Sequence, residues 1–175
     1  PSFYIEIIKS HSNEYNLQVN GIAVEAPCRY EELMPLLIDR IQILAFQHHD
    51  YLFCFHGAAL QFDGRNLLLP GKSGAGKSTL SAELSSGASN ENCALYSDEM
   101  IVLDNNFHLR CINLPIAIKS GSWGTLLSKY PEIEQQKVWH RLDGRLLKYV
   151  WPKHFAKNDI KNNQPYKNCI VNPAY

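Results

Sequence analysis

Apolar and polar residues in the first third of the chain follow patterns that predict strands and then one helix. The run at residues 3–8 is rich in β-branched and aromatic side chains, which favours a strand. The dipeptide Asn20-Gly21 lies between two short apolar segments and predicts a hairpin turn. From Leu33 onwards, apolar side chains return every three or four positions, so we expect an amphipathic helix over about 34–48. Pro35 fits the first turn of that helix.

The middle of the chain predicts strands joined by tight turns around one short helix. Residues 51–55 form a compact apolar run, for which we expect a buried strand, and Asp63-Gly64 predicts a turn. A second apolar run, at 66–70, leads directly into Gly71. The same patterning predicts a helix at 76–86 stopped by Gly87, strands at 93–96, 100–103 and 116–119, a turn at 104–106, a loop at 121–124 and an exposed loop at 157–168.

Composition narrows the classes of protein that this pattern could build. The chain has 175 residues, of which 45% are apolar and 19% charged, as in soluble globular domains. Its formal net charge of zero argues against non-specific attraction to nucleic acid or anionic membranes. No apolar stretch approaches the roughly 18 residues of a membrane helix. The five cysteines lack CxxC spacing and favour reduced thiols, so we expect a cytoplasmic protein. The charge and the lack of a long apolar stretch predict that neither nucleic acid nor a membrane is among its partners.

Length and element order predict one α/β domain over residues 1–175. We expect N-terminal strands and a helix in 1–50, a core in 51–119 and a peripheral segment in 120–175. The expected architecture is a mixed sheet flanked by helices. Because the chain begins at Pro1 and ends soon after the apolar pair Ile170-Val171, we expect it to be a piece of a longer protein that continues at its C-terminus.

Residues 71–78, called here the phosphate loop, match the P-loop (Walker A) pattern G-x-x-x-x-G-K-[ST]. Glycines let successive N–H groups point into one concavity, where they and the helix N-terminus bind anionic oxygens. Lys77 supplies a positive charge to the β- and γ-phosphates, and Ser78 offers a hydroxyl oxygen to Mg²⁺. The residues expected to bind ATP are Gly71, Ser73, Gly74, Ala75, Gly76, Lys77, Ser78 and Thr79.

Two carboxylates follow the next apolar strand. Asp98 and Glu99 come 21 and 22 residues after Lys77, which leaves room for one helix, one loop and one strand. If that strand runs parallel to the one before the loop, its C-terminal end lies at the loop. Carboxylates there could hold Mg²⁺, together with Ser78, and accept a proton from an attacking hydroxyl. His56, at the end of the 51–55 run, is by itself better explained by a structural role than by a functional one.

His56-Gly57, the phosphate loop and Asp98-Glu99 together resemble the HPr serine kinase/phosphorylase family and, more closely, the broader bacterial group of HPr kinase-like proteins. In that family a His-Gly pair precedes a GxSGxGKS loop, and an acidic pair follows the next strand. The resemblance covers about residues 52–103, which carry these motifs. It implies a fold related to ATP-type phosphoenolpyruvate carboxykinase, with ATP and Mg²⁺ as ligands.

The resemblance also implies roles for individual residues. Asp98 is the expected catalytic base, His56 is expected to lie near it and tune it, and Glu99 is expected to serve the metal with Asp98. This sequence has Glu99 where the named kinase usually has Asp, and Thr79 where it often has Glu. We therefore expect a hydroxyl acceptor on a protein, peptide or small molecule, and not HPr alone.

Three functions compete at this stage. The first is an ATP-dependent kinase that uses Lys77, Asp98 and His56 as catalytic residues to phosphorylate a hydroxyl group, foremost of serine. The second is a non-catalytic ATP-binding regulatory module, and the third a motor-type ATPase, for which no LSGGQ-like signature is present. The oligomeric state stays open, a homo-oligomer included. Five C-terminal basic residues are expected to be solvated, with phosphate contacts as the alternative: Lys119, Arg141, Arg145, Lys148 and Lys153.

Overall fold

A computed structural model describes residues 3–10, 14–47, 50–87, 92–157 and 168–170 of a mixed α/β chain. Its helices are Leu33–Gln47 (α1), Lys77–Ser85 (α2) and Trp123–Leu126 (α3). Its strands are Ile5–Lys9 (β1), Tyr15–Val19 (β2), Ile22–Ala23 (β3), Phe53–Phe62 (β4), Arg65–Pro70 (β5), Cys93–Ser97 (β6), Met100–Leu103 (β7), Ile116–Lys119 (β8), Trp139–His140 (β9), Leu146–Val150 (β10) and Asn168–Ile170 (β11). None of the described helices is long and apolar enough to cross a membrane.

The chain divides into two compact units. The first consists of Pro1–His49 and Lys137–Leu147, and the second of Asp50–Gln136 and Lys148–Tyr175. The single domain expected over residues 1–175 stays a prediction. All the residues that carry the motifs belong to the second unit.

In the first unit, β1, β2 and β3 form an antiparallel sheet. Asn20 and Gly21 connect β2 to β3 with φ angles of 50° and 78°, the left-handed backbone of a tight hairpin turn, which confirms the expected hairpin. The expected helix is confirmed as α1, although His48 lies outside the described residues. Its apolar stripe buries Leu33, Pro35, Leu36, Ile38 and Leu44.

In the second unit, a mixed sheet has the order β11-β5-β4-β6, and β7 pairs with the first part of β4. The long strand β4 runs antiparallel to β5 and to β6, whereas β11 runs parallel to β5. Because β5 and β6 both oppose β4, they run in the same direction. Their C-terminal residues, Pro70 and Ser97, pair with Gly57 and Ala59 of β4, so both strands end at one edge of the sheet.

Side chains of β4 alternate between two packed layers of the second unit. Ala58 and Leu60 pack in a cluster that includes Ala82 of α2, whereas Ala59 packs in a second cluster with Ile101 of β7. Since alternate residues of one strand are buried on both sides, β4 forms the centre of the core. The helix α2 is thereby held against the sheet directly after the loop that leaves β5.

Two expectations about the second unit are wrong. The run at 51–55 does form part of a strand, but Phe53 is 57% exposed, because the packed core starts only at Ala58. The segment at 121–124 is not a loop but enters a 3₁₀ turn, Ser120–Ser122, and the short helix α3. Burial of Leu126 and a hydrogen bond from Trp123 Nε1 to the Ile118 carbonyl oxygen, 2.9 Å long, outweigh the helix-breaking tendency of the glycines.

The turn at Asp63-Gly64 and the strands expected at 66–70, 93–96, 100–103 and 116–119 are confirmed as elements between β4 and β8. Of the exposed loop expected at 157–168, residues 158–167 lie outside the described residues. The helix α2 ends at Ser85, and Gly87 follows with φ of 74°, so glycine stops the helix as expected.

Candidate active site

The phosphate loop joins the end of β5 to the start of α2. Gly74 and Gly76 have φ angles of 90° and 76°, which L side chains rarely adopt, so these two positions require glycine. A Cβ added at Gly74 would meet no described atom within 4 Å, and the requirement there comes from the backbone and not from crowding. Gly76 caps α2 without a side-chain hydrogen bond. The first N–H groups of the helix are therefore oriented as a binding site for anionic oxygens.

Lys77 is buried at the start of α2, with 5% of its surface exposed. Its Nζ donates hydrogen bonds to the carbonyl oxygens of Gly71 and Lys72, at 2.9 and 3.0 Å. The side chain thus folds back along the loop and holds its ammonium group over the first loop residues. A phosphate bound in the loop would take the place of these carbonyl oxygens as the partner of the ammonium group.

Asp98 and Glu99 occupy the tight turn between β6 and β7. Pairing of β4 with β6 shifts register, because Ala59 opposes Ser97 while Leu60 opposes Leu95. Such a bulge changes the direction in which the following side chains point. The Ser97 hydroxyl then accepts a 3.3 Å hydrogen bond from the Met100 N–H and closes the turn.

The Asp98 carboxyl group is buried at this edge, with 8% of the residue exposed. Burial raises the pKa of Asp98 to about 7. The Ser78 and Ser81 hydroxyls and the charge of Lys77 act in the opposite direction, whereas Glu99 raises the pKa further. Asp98 therefore lies beside the first turn of α2, and the expectation that the strand after α2 ends at the phosphate loop is confirmed.

One oxygen of Asp98 is left without a partner. Among the described residues, no group forms a hydrogen bond with the buried Oδ1. The buried Ser81 hydroxyl, which lowers the pKa of Asp98, has no hydrogen-bond partner among the described residues either, so Oδ1 is open to this hydroxyl as well as to a metal ion or a substrate hydroxyl group. Ser78, Asp98 and Glu99 offer the hard oxygen donors that Mg²⁺ prefers.

The donor set at this edge fits Mg²⁺ bound together with phosphate. Among the residues that the structure describes, no group of three or more His, Cys, Asp or Glu side chains is arranged to hold a metal. Mg²⁺ commonly needs only one or two protein carboxylates, with phosphate oxygens and water as its other ligands. The Asp98 and Glu99 carboxylates and the Ser78 hydroxyl would hold the ion in that way.

His56 lies next to Glu99, and Asp98 precedes Glu99 in the same turn. Nδ1 of His56 is 3.7 Å from Oε1 of Glu99. The Gly57 N–H donates a 3.0 Å hydrogen bond to the Glu99 carbonyl oxygen. A Cβ added at Gly57 would come within 2.7 Å of the Ile101 side chain and 2.9 Å of the Leu69 carbonyl oxygen, so glycine is needed for close packing. The His-Gly pair thus combines a side chain at the site with a backbone position that admits no side chain.

Two residues that carry no motif also reach the phosphate loop region. Lys119, the last residue of β8, has its Nζ 3.2 Å from the Ser73 hydroxyl oxygen. The Ser122 hydroxyl lies 2.7 Å from that of Thr79. Since Lys119 ends an apolar strand, its position in the sequence hinted at a sheet edge, but nothing local marked Ser122. The Thr79 hydroxyl is engaged with Ser122, and its role at a phosphate stays a prediction.

The other C-terminal basic residues have different surroundings. Arg141 and Arg145 form ion pairs with Asp143, at 3.6 and 3.5 Å. The stem of Lys153 packs where a Cβ of Gly87 would lie. Lys148 is buried at 7% exposure, so the expectation of a solvated side chain is wrong for this residue.

Neither a comparison with known protein families nor one with curated protein sequences finds a match for this chain. The geometry of the second unit therefore supplies the argument for function. It brings together the phosphate loop, Lys77, Ser78, Asp98 and Glu99, with His56 next to Glu99.

Proposed function

We propose that this chain is an ATP-dependent kinase that transfers the γ-phosphate to a hydroxyl group, foremost that of a serine. The observation that carries the proposal is the position of Asp98. A buried carboxyl group with a pKa of about 7 and an unpartnered oxygen lies beside Ser78 and Lys77, at the start of the helix that follows the phosphate loop. A site that only bound a Mg–nucleotide would use a carboxylate for the metal, but it would not need a buried acid with a pKa near 7.

The phosphate loop accounts for nucleotide binding. Its N–H groups and the N-terminus of α2 would bind phosphate oxygens, and Lys77 would release the Gly71 and Lys72 carbonyls to contact the β- and γ-phosphates. Bound Mg²⁺ would neutralise charge on the phosphates. Ser78 and the two carboxylates would hold that ion, as the donor set allows.

The reaction would need one proton acceptor, and Asp98 fits that task. A general base works best when its pKa is near the operating pH, and the Asp98 pKa is about 7 before a metal ion binds. As the acceptor oxygen forms a bond to the γ-phosphorus, the bond from that phosphorus to the β–γ bridging oxygen breaks. The hydroxyl proton passes to Asp98, and ADP leaves with the bridging oxygen. Glu99 would orient His56 beside this centre.

The proposal includes kinship with the HPr kinase-like group and a fold related to ATP-type phosphoenolpyruvate carboxykinase. Support comes from the order of the motifs and from the mixed sheet, in which β4 places His56-Gly57 between the end of β5 and the turn after β6. The acceptor would be a protein, a peptide or a small molecule, and the compartment the cytoplasm.

Transfer of labelled γ-phosphate tests the proposal. The protein is incubated with γ-labelled ATP, Mg²⁺ and a panel of acceptors that includes HPr, serine-containing peptides and small alcohols. We expect one acceptor class to become labelled, and Asp98→Asn to lower the rate by about 10²–10⁴-fold, the usual contribution of a general base. ATP affinity should change far less than the rate.

Two outcomes would count against this function. An unchanged rate of phosphate transfer by Asp98→Asn would show that Asp98 is not the general base, and the argument from its buried carboxyl group would fail. Tight ATP binding that depends on Lys77, without turnover or transfer to any acceptor, would favour the non-catalytic regulatory module. Lys129→Met is the matched control for the replacement of Lys77. It also removes a lysine, but one that pairs with Glu83 in the C-terminal half of α2.

A further inference from the structure

A lysine from outside the phosphate loop reaches its surface. Lys119 Nζ lies 3.2 Å from the hydroxyl oxygen of Ser73, which is the third residue of the loop. Loop motifs of this kind already contain their cation, here Lys77, and do not call for another. The contact joins β8 to the loop across 46 positions of sequence, so it depends on the fold and not on the motif.

Lys119 is held in place from both sides. Ile116 and Ile118 of β8 are fully buried, and strand alternation sends the Lys119 side chain to the opposite face. Just beyond the strand, the Ser122 hydroxyl lies 2.7 Å from the Thr79 hydroxyl in the first turn of α2. Two independent contacts thus fix the end of β8 against the loop and its helix.

The position of Lys119 indicates which phosphates it would serve. Lys77, the cation for the β- and γ-phosphates, has its ammonium group at the carbonyls of Gly71 and Lys72. Ser73 is the next residue, so the two ammonium groups are bonded to the first three residues of the loop. An ammonium group has three N–H donors and can keep the Ser73 hydroxyl while it binds a phosphate oxygen.

Charge favours this arrangement. Asp98 and Glu99 add negative charge at the same edge, and the terminal phosphates of ATP bring more. Lys77 and one divalent cation would leave an excess of negative charge there, which Lys119 offsets together with Lys72, an exposed residue of the loop itself. Charge-assisted hydrogen bonds to phosphate are among the strongest that proteins make.

We propose that Lys119 is a second phosphate-binding cation, which contacts the terminal phosphates of the bound nucleotide alongside Lys77. The inference rests on the proposed function, because it takes the nucleotide site as given. It adds a binding residue from outside the loop, and it makes affinity depend on the end of β8.

Calorimetric titrations with ATP, ADP and AMP, in the presence of Mg²⁺, test this role. Wild type is compared with Lys119→Met, Lys119→Arg and the control Lys129→Met. We expect Lys119→Met to weaken ATP and ADP binding about tenfold and AMP binding less than about twofold, since AMP lacks the terminal phosphates. Lys119→Arg should retain most of the affinity, and Lys129→Met all of it.

The outcomes separate the two proposals. Equal ATP affinity of wild type and Lys119→Met would overturn the role of Lys119, as would an equal loss for ATP and AMP, which is the sign of a purely structural residue. A wild-type protein that binds no ATP would overturn the nucleotide site itself. Far-UV circular dichroism checks folding, and Lys119→Gln replaces the methionine variant if that variant does not fold.

Discussion

Two lysines of the second unit are almost equally buried, yet their surroundings suit opposite tasks. Lys77 is 5% exposed and Lys148 is 7% exposed. Both donate hydrogen bonds to main-chain carbonyl oxygens: Lys77 to Gly71 and Lys72, and Lys148 to Ile133 at 2.5 Å and Glu134 at 3.5 Å. Burial and the kind of hydrogen-bond acceptor therefore do not distinguish a phosphate-binding lysine from a structural one.

The neighbours of the two ammonium groups make the difference. Lys148 Nζ lies 4.7 Å from the centre of the Trp123 ring, in a cation–π contact that closes one side of the group. Lys77 instead belongs to a glycine-rich loop and lies close enough to Asp98 to lower the pKa of that carboxyl group. The carbonyl oxygens around Lys77 belong to Gly71 and the exposed Lys72, so water can replace the lysine there, whereas the main acceptor of Lys148 belongs to the buried Ile133. Mutations should accordingly separate binding from stability.

The largest expected effect is the loss of nucleotide binding in Lys77→Ala. Removal of the loop cation from the phosphates should weaken ATP binding by about a thousandfold, or about 4 kcal/mol. The free energy of unfolding should change by less than about 1 kcal/mol, because water can satisfy the loop carbonyls. Calorimetry and urea denaturation measure the two quantities. A large loss of stability together with weak binding would mean that Lys77 is as structural as Lys148.

The complementary change is Lys148→Met, which should lower stability and leave ATP affinity unchanged. Methionine fills similar volume but leaves the Ile133 carbonyl oxygen without its donor and removes the contact with Trp123. We expect a loss of about 3 kcal/mol in the free energy of unfolding.

Lys129→Met is the control for that loss, because its partly exposed pair with Glu83, 3.6 Å apart, should be worth less than about 1 kcal/mol. Urea denaturation of both variants measures the difference. If Lys148→Met instead weakened ATP binding as much as Lys77→Ala does, the distinction between the two lysines would be lost.

Sequence alone identified one member of this pair. A motif marked Lys77 because the chemistry of the phosphate loop is local: strand, glycine turns and helix follow one another. The position of Asp98 beside the loop was also predicted, although β5 and β6 are not neighbours and the antiparallel strand β4 lies between them. The inference succeeded because two strands that oppose the same strand share a direction.

The remaining misses have one physical cause. Lys119 and Lys148 look alike in sequence, but the end of a strand brings one to the phosphate loop and a tryptophan covers the other. The apolar run at 51–55 likewise does not indicate which of its side chains are buried in the core. Contacts between distant segments decide these cases, and no local pattern encodes them.

The smallest effect expected at the site concerns stability and pH. Asp98 has a folded-state pKa of about 7, raised from the ordinary value of 3.8, so the ionised group disfavours folding. The penalty is absent below about pH 4, grows as pH rises towards 7, and is complete above it. Asp98→Asn carries no such charge and should therefore gain about 2 kcal/mol at pH 8 relative to wild type, and less at pH 5.

Urea denaturation of wild type and Asp98→Asn at pH 5 and pH 8 measures this gain. Lys148→Met, measured at the same two pH values, should show a loss that changes little between them, because no carboxyl group is removed. A gain for Asp98→Asn of equal size at both pH values would mean that burial of the charge is not its cause. A gain confined to high pH would show that the site maintains a costly ionisable group, as a catalytic base requires, whereas the Lys148 region is built for stability.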